Sequence, residues 1–211
     1  MRKYTLKGSI CSLSPLSIAS CGNQTGQPFP NIIVNGDFET GDLTGLTAGG
    51  INEGFAEVEE MGTCFSADNT RGISMKGIPS TNVRTGGSSP LNSIGILTSD
   101  LFIAGNAIRF VALSENDDSI PADNPVTLEV LVLDDMDSIL HSEIVDTNIV
   151  TLSPSNFPAS RIGEIRDGSL STHIIDTSSL VGELIRIEFR QRTNVAGSGF
   201  STLIDNIEVV D

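Results

Sequence analysis

The chain contains no tryptophan, one tyrosine (Tyr4), two histidines (His141 and His173) and three cysteines in 211 residues. Each shortage closes a route. Flat aromatic faces can come only from the nine phenylalanines, and of these Phe38, Phe110 and Phe189 sit on apolar strand faces and are expected in the core. No histidine pair has metal-site spacing, and no Gly-x-Ser-x-Gly elbow accompanies the many serines. Basic residues are scarce as well: 12 against 27 acids, a net charge of -15. So acidic a surface repels phosphate backbones, which excludes nucleic acid as a partner, and it favours solubility and cation binding. No run approaches the roughly 18 apolar residues of a membrane span, and long helical periodicity is missing.

What is present suits one exported β domain. Hydrophobic residues make up 38% of the chain and the mean hydropathy is +0.08, enough for a real core. The length fits a single all-β domain over 31–211, preceded by a leader over 1–20 and a linker over 21–30. Arg2, Lys3 and Lys7 form a basic start with no acid before residue 20, a weakly apolar stretch follows, and Ile18-Ala19-Ser20-Cys21 places small residues ahead of a cysteine. This resembles the bacterial lipoprotein signal, which implies lipid on Cys21 and a place in the cell envelope, lipid-anchored to a membrane surface or extracellular. Cys11 would then leave with the leader, so Cys64 is the only thiol left to the domain and no internal disulfide is expected.

The dominant pattern is alternation of period two. Over 184–190, Ile185, Ile187 and Phe189 share one face while Arg186, Glu188 and Arg190 share the other, a half-buried strand. Residues 107–113 alternate in the same way, with Arg109 opposite Ile108 and Phe110. Residues 126–133 are apolar at nearly every position, which predicts a strand covered on both faces. Further strands are expected over 32–34, 73–78, 94–97, 139–150, 173–175 and 200–210, with turns over 79–90, 114–125 and 153–160. Asp134-Asp135-Met136-Asp137 fits a hairpin connection, and Asp176 fits the start of a turn through Thr177-Ser178-Ser179. Many strands with polar turns and no βα alternation predict an all-β, antiparallel β-sandwich of the jelly-roll type.

Both ends carry a resemblance. Asn31-Ile32-Ile33-Val34-Asn35-Gly36-Asp37-Phe38-Glu39-Thr40-Gly41-Asp42-Leu43 resembles the opening strand of bacterial carbohydrate-binding jelly-roll modules, the galactose-binding-like sandwiches, and Leu203-Ile204-Asp205-Asn206-Ile207-Glu208-Val209 resembles their closing strand. Gly95-Ile96-Leu97-Thr98-Ser99 and Ile175-Asp176-Thr177-Ser178-Ser179 are similar to inner strands of the same group. The group's opening motif commonly runs on to a tryptophan near Leu46, which this chain lacks. The resemblance implies a glycan partner and a structural calcium where the terminal strands meet. Glu39 and Asp205 are its expected ligands, with Asp37 beside them. Residue parity alone aims Asp205 inward with Leu203, Ile207 and Val209 unless a bulge intervenes, and hard carboxylate oxygens suit calcium.

Other acidic clusters, Glu115-Asn116-Asp117-Asp118 with Asp123 and Asp134-Asp135-Met136-Asp137, lack the glycine and distal glutamate of an EF-hand loop and read as solvated turns. His173 with Asp176 and a serine can be drawn as a triad, but no nucleophile motif supports it. A non-catalytic protein is expected. Two functions remain open: a glycan-binding surface lipoprotein, or a structural or adhesive domain whose partner is a cell-surface protein.

Overall fold

The computed structural model describes residues 32–52, 54–60, 71–76, 93–117, 126–147, 149–152, 171–193 and 201–211. Alternating segments become strands, in chain order β1 (Leu46–Ile51), β2 (Phe55–Glu60), β3 (Arg71–Lys76), β4 (Ile94–Ser99), β5 (Phe102–Ile103), β6 (Ala107–Asp117), β7 (Val126–Asp134), β8 (Ile139–Val145), β9 (Ile149–Leu152), β10 (Ser171–Asp176), β11 (Leu184–Thr193) and β12 (Ser201–Val210). They form two sheets. The first runs β1-β4-β11-β7-β8, with β5 continuing the β4 side of β11; the second runs β10-β6-β12-β3-β2, with β9 beside β6. Among the described residues all pairings are antiparallel except β6 with β9. The expected all-β, antiparallel sandwich is the observed fold.

The core lies between the sheets, where the period-two pattern aims its apolar side chains. Ile185, Ile187 and Phe189 on β11 meet Ile108, Phe110 and Ala112 on β6, all fully buried. The Phe110 and Phe189 rings meet edge to face with centroids 5.0 Å apart, a contact worth about 0.5–1.5 kcal/mol beyond its burial. Phe38 is equally buried, so the three phenylalanines expected in the core are there. Strand β7 is covered on both faces along its second half, where Leu131 and Leu133 are buried as well as Val130 and Val132. Asp134 closes the β7–β8 hairpin, its Oδ1 accepting from the amides of Met136 at 2.9 Å and Ser138 at 2.7 Å.

Three expectations need correction. Residues 32–34 are not a strand but part of a chain of turns, because Asn35 and Phe38 take left-handed backbone angles (φ 55° and 56°) and Phe38 N donates back to Asn35 O. The run 139–150 is two strands, β8 in the first sheet and β9 in the second. Residues 114–117, expected in a turn, complete β6. Strands β1 and β2 were not anticipated: one carries Gly49 and Gly50, the other three acids, and neither composition favours a sheet. The leader, Cys21, Cys64, Asp118, Asp123 and the turns expected over 79–90 and 153–160 lie outside the described residues. Among the described residues no helix is long and apolar enough to cross a membrane.

Candidate functional site

The opening segment is built around one buried ring. Phe38 inserts into the core, and its neighbours wrap into a hydrogen-bonded knot. Asn35 donates to Asp42 O at 2.9 Å, Thr40 Oγ1 donates to Asp42 Oδ1 at 2.8 Å, and Thr44 N donates to the same oxygen at 2.9 Å. Hydrogen bonds from the Thr44 side chain, then from the Thr44 amide and the Thr40 hydroxyl, hold the Asp42 carboxyl below the usual carboxylate range. The knot docks on β12 through Ile207 N, which donates to Gly36 O at 2.8 Å. Glycine is required at that contact, since a Cβ on Gly36 would sit 2.0 Å from the Ile207 carbonyl oxygen. On the other side Glu39 Oε1 accepts from Arg71 N at 3.0 Å, which ties the knot to β3.

At the docking point β12 bulges. Its register against β6 shifts between Asp205 and Glu208, and Asn206 is left-handed at φ 51°. The bulge resolves the question of parity. Ile204 faces the core before it and Ile207 after it, so Asp205 lies on the opposite side from Ile204, with Leu203. Asp205 is nonetheless fully buried, its Oδ1 accepting from Asn206 N at 2.7 Å.

The structure thus brings the two ends of the domain together, as their resemblance implied, and places the three expected ligands differently. Asp205 is buried at the bulge, Glu39 is half-buried and bonded to β3, and Asp37 is exposed, accepting from Glu39 N at 3.4 Å. Among the described residues no three His, Cys, Asp or Glu side chains are grouped as a metal-ligand set.

Between the knot and the outward face of β6 and β12 lies an open cleft of about 610 Å³. Ile32 and Val209 give it apolar surface; Asp37, Arg109, Asn206 and Glu208 give it polar groups. Arg109 and Glu208 stand opposite each other in the β6–β12 ladder and form an ion pair. That pair lay half-visible in the sequence, as the polar member of Ile108-Arg109-Phe110 and of Ile207-Glu208-Val209. Their pairing across the bulge was not visible, because it depends on a register that no local pattern sets.

No protein-family model matches the chain, and no curated protein matches it. Among solved structures, the carbohydrate-binding module TmCBM61, in complex with β-1,4-galactotriose, superposes with a TM-score of 0.51 at 12% identity, over 87% of this chain and 97% of that one. The enzymatically active domain of bacteriophage CBA120 tailspike protein 4 superposes with a TM-score of 0.50 at 9% identity, over 83% of this chain but 20% of that one. The fold is like that of a carbohydrate-binding module. At these identities the likeness speaks for the β-sandwich alone.

Proposed function

We propose that this β-sandwich is a non-catalytic glycan-binding domain whose site is the cleft between the opening knot and β12. The observation that carries the reading is the cleft's chemistry. Asp37, Arg109, Asn206 and Glu208 offer planar donors and acceptors of the kind that meet vicinal hydroxyls, around an exposed isoleucine, Ile32, that can pack on sugar C–H groups. The volume lies within the usual range for small-ligand sites, roughly 300–1,000 Å³. With no tryptophan and the core phenylalanines buried, recognition rests on hydrogen bonds more than on ring stacking. A glycan-array screen of the full chain tests this. Binding is expected, and Arg109→Ala should weaken it about tenfold or more, the loss of a charge-assisted hydrogen bond. A silent array, or affinity unchanged by Arg109→Ala, rejects the cleft.

We also propose display at a membrane surface through lipid on Cys21, motivated by the Ile18-Ala19-Ser20-Cys21 box. Metabolic labelling with a fatty-acid probe in a bacterium that processes lipoproteins should mark the wild type and not Cys21→Ser; equal labelling of both overturns the anchor. A structural calcium at the seam of the knot and β12 completes the reading. It would draw on Asp205, Glu39 and neighbouring backbone carbonyls, with Asp37 at its edge.

A further inference from the structure

Strand β8 ends the first sheet, and its outer edge pairs with none of the described strands. An open edge presents unpaired backbone donors and acceptors, and folded proteins usually blunt it with lysine or proline. Strand β8, Ile-Leu-His-Ser-Glu-Ile-Val, has neither. It instead exposes large apolar side chains: Ile144 is 69% exposed, Ile139 58% and Leu140 44%. Met136, in the hairpin just before it, and Ile174, on the edge strand β10 of the other sheet, are exposed too. The two edges are neighbours, since Glu143 lies close enough to act on the charge of His173 in β10.

The order of residues along β8 points to one occupant. Laid antiparallel against a copy of itself about a two-fold axis at Ser142, the strand sets His141 opposite Glu143 and Leu140 opposite Ile144, up to the register shift that precedes His141. The pairs flanking the axis are then complementary, an imidazole with a carboxylate and apolar with apolar. His141 and Glu143 both turn to the inner side of the sheet, opposite Val132 and Val130, so they share a face and can meet across the axis. Within one chain His141 Nε2 lies 3.7 Å from Glu143 Oε2, beyond hydrogen-bond distance, and makes no hydrogen bond among the described residues. An unrelated strand has no reason to match this symmetry.

We propose that β8 is a homodimerisation edge, joining two copies of the chain into one continuous sheet through antiparallel β8–β8 pairing centred on Ser142. A seven-residue strand buries less than the roughly 1,200 Å² of a standard interface, so the equilibrium is weak and concentration-dependent. Each copy carries a net charge of -15, so the copies repel at long range and added salt strengthens the pairing. A basic partner protein would give the opposite salt dependence.

Sedimentation velocity of the full chain over a dilution series at low and high salt tests the proposal. A monomer–dimer equilibrium that tightens with salt is expected, and Ile144→Lys should weaken it at least tenfold while leaving the thermal melt unchanged. In a second variant, Ser142→Cys, mild oxidation should link the two copies, with mass spectrometry locating the crosslink between the two position-142 peptides. A monomer at every concentration and salt overturns the proposal. So does a dimer indifferent to Ile144→Lys, a Ser142→Cys crosslink to any other peptide, or the edge being filled by a different protein.

Discussion

Ser99 closes a gap that the strand pattern leaves open. Between β4 and β5 the ladder on β11 is interrupted, and the buried amide of Ile187 has no backbone acceptor there; Ser99 Oγ accepts from it at 3.0 Å and donates to Asp100 O at 2.9 Å. An unmet buried amide costs about 1–3 kcal/mol, so this hydroxyl contributes as much as a good core contact. Acids organise turns in the same economical way. Hydrogen bonds from Ser178 hold Asp176 below the usual carboxylate range, and the Ser138 amide, followed by that of Met136, does so for Asp134 against a smaller opposing effect of desolvation. At this scale the sequence was readable where the partner is close in the chain. Asp134 and Asp176 were recognisable as turn residues because their acceptors serve amides two to four positions on. Ser99 was not, because the amide it serves is 88 residues away.

Among the elements, the decisive one is the opening knot, and it shows why the fold was more legible than the site. Strands such as β6 and β11 announce themselves through alternation, which depends on burial of one face, and β7 through a continuous apolar run. The knot has no periodicity, and left-handed Asn35 and Phe38 break any strand over 32–34. Its resemblance to a family motif still located it correctly against β12, through Gly36 and Ile207. If calcium ties this seam, its binding only to the native state adds about 2.7 kcal/mol at one hundred times its dissociation constant. For a domain of this size that is a shift of several degrees, at roughly 2–4 °C per kcal/mol. Differential scanning calorimetry after thorough chelation should therefore show the wild type melting higher when calcium is restored. Asp205→Ala and Glu39→Ala should respond little. Each substitution also alters local packing and charge, so the quantity that discriminates is the calcium-induced shift and not the melting temperature itself. A wild type that ignores calcium rejects the metal.

Over the whole molecule, stability against pH is set by opposed charge effects, and the histidine at the sandwich's open side separates them. His173 stacks on Phe110 with centroids 5.3 Å apart and shares a 2.7 Å hydrogen bond between its Nε2 and Ser171. Partial burial pushes its pKa below the ordinary 6.5, only partly opposed by Asp146 and Glu143. Its neutral form is therefore favoured in the folded state. Above 6.5 neither state binds the proton and nothing is lost; as pH falls below 6.5 the unfolded chain protonates first, and stability declines until the folded histidine titrates too. Asp42, Asp134 and Asp176, all held below 3.8, act in a lower window: their contribution is present above 3.8 and disappears as pH falls through their folded values. Relief of repulsion in a chain of net charge -15 works the other way, since neutralising acids stabilises the compact state. Urea denaturation midpoints between pH 7.5 and 5 should resolve these terms. His173→Gln removes the ring stack at every pH, a constant offset, but it also removes the titration. The difference in midpoint between wild type and His173→Gln should accordingly shrink as pH falls below about 6.5, because only the wild type loses stability from this site. A difference that stays constant across the range would mean that His173 carries no proton linkage, and one that widens on acidification would mean that its pKa is raised by Asp146 and Glu143 instead of lowered by burial.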